Sequence, residues 1–181
     1  MNLAERFNRW RATKGYGVHS PLAFRLIQRA IKPPRGIAYY GEEKLDVSPL
    51  PRFMVKRAGI LLRAVAELQP SYVWFSPGLP EIYQEAIRLA GCVIRVYDGT
   101  LFPDEISKAD MIVLNDYKIK KTELRKILAP GKALVALGAG NKFQEWVAEI
   151  LKGGILLDAA GSLIAVSTRD EVSHIYKISK F

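Results

Sequence analysis

The residues best placed to do chemistry in this chain lie at the ends of apolar runs. Tyr72-Val-Trp-Phe-Ser-Pro-Gly78 reads as a strand ending in a tight turn, where Ser76 offers a hydroxyl and Gly78 a turn glycine. A helical stretch follows, then a second run, Val93-Ile-Arg-Val-Tyr-Asp98. Asp98 lies 20 residues after Gly78, the distance at which nucleotide-binding βαβ units place the carboxylate that holds a ribose hydroxyl. Asn115 and Asp116 end a third apolar run. Ligands bind beyond the carboxyl ends of strands in open parallel sheets. Ser76, Gly78, Asp98, Asn115 and Asp116 are therefore the candidate cofactor-binding set. Turn chemistry is the competing account, with Asp98 capping a turn before Gly99 and Asn115-Asp116 opening a loop. The first turn also has one glycine where an active nucleotide site usually has two or three.

His19 is a candidate cleft residue, a base or polar contact beside Ser20-Pro21 in a glycine-flanked loop. The plainer reading is that it packs and hydrogen-bonds at a helix start. His174 alternates within the final extended run and reads as structural. The one cysteine, Cys92, opens a strand and cannot form an internal disulfide, which fits a reducing cytoplasm. No Ser/His/Asp or Cys/His set can be assembled and no zinc spacing exists. No catalytic residue and no metal ligand is assigned.

These residues need elements to carry them. Leu3, Phe7 and Trp10 give a helical stripe over 2–12. Ser20-Pro21 is a helix start, serine as N-cap and proline at the first helical position, and Pro33-Pro34 is its stop. A loop with Gly36, Gly41, Pro49 and Pro51 leads to a helix over about 52–68. From residue 71 the pattern alternates. Strands are expected at 72–76, 92–97, 110–115 and 132–138, and helices at 79–90, about 103–108, 120–128 and 141–151. Extended runs at 154–158, 162–168 and 172–180 close the chain, with Thr168-Arg-Asp-Glu171 as a hairpin loop. The strands at 72–138 are apolar on both faces, as helix-covered parallel strands should be. The expected architecture is an α/β core over 66–181, mostly parallel with antiparallel C-terminal strands. A basic helical extension over 1–65 packs on it.

Charge is unevenly placed. Residues 1–65 hold 13 Lys/Arg against 4 Asp/Glu, which accounts for the whole net charge of +9. Arg6, Arg9, Arg11 and Lys14 are the candidate polyanion contacts, with RNA or anionic lipid as the partner; a solvated helical face is the ordinary alternative. No run approaches the ~18 uncharged apolar residues of a membrane span. The early acid at Glu5 and the lack of an apolar stretch argue against a signal peptide. A cytoplasmic protein is expected.

The order of elements resembles the class I S-adenosylmethionine-dependent methyltransferases. Two segments are similar to a bacterial O-methyltransferase-like branch: Gly17-Val-His19-Ser20-Pro21-Leu22, and Asp158-Ala-Ala-Gly161 followed by His174-Ile-Tyr-Lys-Ile. The resemblance implies a Rossmann-like methyltransferase fold, with S-adenosylmethionine held near Ser76, Gly78 and Asp98. This chain departs from that pattern in three ways. The acid and Gly-x-x-x-Gly of the first strand's end are replaced by Trp74-Phe75 and Ser76-Pro77-Gly78-Leu79-Pro80, whose prolines cannot donate. Only Gly99 to Ala109 separates Asp98 from Asp110, too short for the family's extra helix and strand. Gly138-Ala-Gly-Asn-Lys142 stands where metal-dependent relatives carry acids. The expected function is that of a catalytically degenerate, methyltransferase-like protein that binds a small ligand or a partner protein. The alternatives are an active S-adenosylmethionine-dependent methyltransferase with an atypical site, and an RNA- or anionic-lipid-binding module using the basic third.

Overall fold

The structure is a computed structural model that describes residues 4, 8, 11, 18, 20–33, 41–45, 48–91, 95–98, 103–115, 119–159, 161–169 and 172–178, with backbone alone at 95–98 and 103–105. Ala4, Asn8 and Arg11 are helical, in keeping with the stripe over 2–12. Helix α1 starts as expected at Pro21, where the Ser20 hydroxyl accepts from the Ala23 N–H at 3.3 Å. It runs as an α-helix over Pro21–Arg25 and continues as a wider π-helix over Leu26–Ile31. A 3₁₀ turn at Glu42–Lys44 precedes helix α2, Arg52–Leu68.

The α/β alternation follows. It comprises strand β1 (Tyr72–Phe75), helix α3 (Glu81–Leu89), β2 (Arg95–Asp98), α4 (Pro103–Lys108), β3 (Met111–Asn115), α5 (Lys121–Ile127), β4 (Ala133–Leu137) and α6 (Asn141–Ile150). Strands β5 (Gly154–Asp158), β6 (Ser162–Ser167) and β7 (Ser173–Lys177) complete it.

The strands form one seven-stranded mixed sheet in the order β2-β1-β3-β4-β6-β5-β7. Strands β1 to β4 are parallel, with Phe75 opposite Asp98 on one side and Val113 on the other. The antiparallel character of the C-terminal part resides in β6, which runs against both β4 and β5. Strand β1 is interior, but it lies one place from the edge rather than at the centre.

The expected hairpin at Thr168–Glu171 is not formed. Strand β7 pairs with β5, in parallel, not with β6. Both edges of β6 are already taken by β4 and β5, so the last strand must cross to the free edge of β5. The hairpin is instead β5–β6, turning at Gly161 with φ +98°.

Period-2 alternation sorts the strand side chains onto two faces. Val73, Phe75, Met111, Val113, Val135, Leu157 and Ile164 pack with α1, α2 and α3. Trp74, Ile112, Leu114, Leu134, Ala136 and Leu163 pack with α4, α5 and α6. The result is three layers with the sheet in the middle. Helix α1 belongs to the first face, because Ala23, Leu26, Ile27, Ala30 and Ile31 are buried in the same cluster as the strand residues. No helix among the described residues is long and apolar enough to cross a membrane.

Candidate functional site

The carboxyl ends of β2, β1 and β3 are adjacent, so the fold brings three of the sequence candidates to one edge of the sheet. Asp98 ends β2 opposite Phe75, Ser76 follows β1, and Asn115 ends β3. Nothing is described of the Asp98 side chain. Asp116 and His19 lie outside the described residues, as do Arg6, Arg9, Lys14 and Cys92. Arg11 is on an exposed helical position.

Ser76 is fully buried and its polar groups serve the sheet. Its N–H donates to the Val113 carbonyl at 2.9 Å, and its hydroxyl accepts from the Asn115 N–H at 3.2 Å. The side chain continues the β1–β3 ladder one step past the strand ends, where a backbone acceptor has run out. A hydroxyl held this way is directed at Asn115, not at open space.

The turn that follows is closed by its own helix. The Leu79 carbonyl accepts from the Gln84 side-chain amide at 2.8 Å. The Pro80 carbonyl accepts from the N–H groups of Tyr83 and Gln84 at 2.9 and 3.3 Å. Pro77 and Pro80 have no N–H to offer. Glu81 stands in the first turn of α3, where its carboxylate offsets the positive end of the helix dipole. An anionic group of a ligand therefore meets a negative charge at this helix start. Gly78 has φ +72°, and a methyl there would meet nothing within 4 Å. Its glycine is needed for the left-handed backbone, not for close approach of a neighbour.

Two cavities open near this edge. The first, about 210 Å³, lies over β3 and β4 and is lined by Leu114, Ala136, Gly138, Gly140 and Phe143 among others. It falls below the roughly 300–1,000 Å³ of ordinary small-molecule sites and carries no charged side chain. The second, about 490 Å³, lies between the segment before α2 and the start of α3. Leu50, Met54 and Ile82 form its apolar lining, with Lys44, Glu81 and Glu85 as its charges. Sequence reasoning did not select these residues. The one available signal was the pair of acids at 81 and 85, four apart and so on one helical face.

Other polar groups near the strand ends are structural. Gln144 donates to the buried Asp158 carboxylate at 3.3 Å, and the Gly138 N–H donates to the Gly161 carbonyl at 2.7 Å. At the opposite end of β3, Asp110 accepts from the N–H groups of Ser71 and Tyr72, both at 3.0 Å, fixing the entry of β1. Lys132 donates to the carbonyls of Ile106, Ser107 and Ala109 at 3.0, 2.5 and 3.0 Å, capping α4. Burial holds its ammonium below the ordinary lysine value, while the Asp110 carboxylate pulls it back up. Trp74 is buried with its indole N–H lacking an acceptor among the described residues. Among the described residues no group of three His, Cys, Asp or Glu is arranged to hold a metal.

Compared with models of protein families, with curated proteins and with solved structures, the chain matches none of them.

Proposed function

We propose that this chain is a Rossmann-like, methyltransferase-type domain whose cofactor turn has been converted to a structural joint, and that it works by binding a small ligand or partner rather than by methyl transfer. The observation that carries this reading is the β1–α3 turn. The Ser76 N–H and hydroxyl oxygen are both engaged by β3, the prolines donate nothing, and Glu81 charges the helix start. The sheet order supports it as well. Among the described residues strand β2 is an edge strand with no further strand beside it, in keeping with the short Gly99 to Ala109 stretch where the resemblance implies an extra helix and strand. A nucleoside needs walls on that side of the cleft. These residues do not fit S-adenosylmethionine. The 490 Å³ cavity beside α3 is the place near this edge with room for a small ligand.

Titration calorimetry of the full chain with S-adenosylmethionine and S-adenosylhomocysteine tests the proposal. No saturable heat is expected with either. Binding in the low micromolar range, about −8 kcal/mol, would overturn it and return the protein to the active methyltransferases.

A further inference from the structure

Another cavity lies at the other end of the sheet. It spans about 700 Å³ between the last turns of α5 and α6 and the end of β6. Strands β4 and β5 begin here, at Ala133 and Gly154, so it is separated by the length of the strands from Ser76 and Asn115. Leu128, Ala129, Pro130 and Ile150 give it an apolar lining, and Arg125, Lys152 and Arg169 stand exposed around it. The lone acid in the lining, Glu149, is already paired with Lys121 at 2.6 Å. Arg125, Lys152 and Arg169 have no carboxylate partner among the described residues; Asp170 and Glu171, next in the chain, lie outside them.

The ordinary account of cations here is compensation of helix C-termini. It covers Arg125, which is in the last turn of α5, and Lys152, which directly follows the C-cap Leu151 of α6. It does not cover Arg169, which follows a strand, nor the convergence of three cations from three separate segments on one apolar hollow. Guanidinium groups suit phosphate and carboxylate oxygens, which they bind with two parallel hydrogen bonds. The volume matches a small-molecule site.

We infer that this cavity binds a small soluble amphiphilic anion, a phosphate or carboxylate head on an apolar body, with Arg125, Lys152 and Arg169 around the head and Leu128 and Ile150 against the body. The site is independent of the S-adenosylmethionine question, because none of its residues belongs to the β1–α3 turn. The test is calorimetry of the full chain with monomeric octyl phosphate, with inorganic phosphate, and with anionic phospholipid vesicles. Octyl phosphate should bind saturably, and inorganic phosphate at least about tenfold more weakly, since it lacks the apolar body. The triple variant R125Q/K152Q/R169Q should keep the wild-type melting temperature, because all three side chains are exposed. It should lose at least about tenfold in octyl phosphate affinity. Absence of saturable octyl phosphate binding, equal binding by the triple variant, or binding to vesicles alone would each overturn the inference.

Discussion

Arg63 and Glu42 are joined by a 2.5 Å ion pair that ties the middle of α2 to the 3₁₀ turn ahead of it. The same guanidinium donates from Nε to the Ala30 carbonyl at 2.8 Å, near the end of α1. Arg63 is 5% exposed, so the basic N-terminal third contributes at least one cation to the interior rather than to a polyanion surface. Gly59 makes the arrangement possible. A methyl at that position would lie 2.6 Å from the Glu42 carboxylate oxygen and 3.0 Å from the Arg63 guanidinium.

Replacing Arg63 with Met is expected to destabilise the fold by roughly 2–3 kcal/mol, because the Ala30 carbonyl and Glu42 both lose their donor. Glu42 is partly solvated, which keeps the cost toward the low end. Gly59→Ala in the wild type should gain less than the about 1 kcal/mol that alanine's helix preference offers, because the Glu42 carboxylate and the Arg63 guanidinium must both shift to admit the methyl. In a Glu42→Ala background the same change should gain more, since the nearer obstruction has gone. Urea unfolding of the double-mutant cycle measures this coupling. Additive effects would show that Gly59 is not kept for the pair.

Ser76→Ala should lower stability by about 1–2 kcal/mol by leaving the Asn115 N–H without its acceptor. Octyl phosphate affinity should be untouched, because Ser76 is remote from that cavity. Thermal unfolding and calorimetry on one preparation separate the two. A Ser76→Ala chain as stable as wild type would mean that the hydroxyl is not a strand joint.

Lys132→Met should cost about 1–3 kcal/mol by removing the donor shared by the Ile106, Ser107 and Ala109 carbonyls at the end of α4. Its pH dependence has a definite sign. Burial lowers the folded-state value below the 10.5 of an unfolded lysine. Between the two values the unfolded chain binds more protons, so stability rises with pH there. Below that window the burial cost is present in full. The stability gap between wild type and Lys132→Met should therefore widen as pH climbs toward 10.5. A gap that narrows over that range would show that the carbonyls outweigh burial.

A chain starting at Pro34 should aggregate or lose its cooperative unfolding transition. Removing α1 uncovers the partners of Leu26, Ile27 and Ile31, which are at most 3% exposed, at roughly 1.5–3 kcal/mol for each side chain. It also removes the Ala30 carbonyl that Arg63 grips. Light scattering and circular dichroism melting check this. A truncated chain that stays monomeric and melts at the wild-type temperature would make residues 1–33 a dispensable arm.

Local chemistry made much of this fold legible from the residues alone. Ser20-Pro21 starts α1 because a serine cap and a proline at the first position suit a helix end in any context. The apolar periods placed α2 at Arg52–Leu68 and all seven strands to within a few residues, because burial on one helical face, or on both faces of a strand, must be written in the order of side chains. The parallel run β1 to β4 followed from strand–helix alternation, since a parallel neighbour can be reached only through a crossover. What the tertiary structure alone decided is pairing and proximity. Strand β7 goes to β5 because β6 has no edge left, and no property of residues 168–171 announces that. Ser76 had the right type and place for a ligand contact, yet Asn115, 39 residues away, takes its hydroxyl. Arg125, Lys152 and Arg169 are ordinary surface cations in the sequence and become one site when α5, α6 and β6 end at the same edge of the sheet. Their spacing follows no period, because each is placed by a different element.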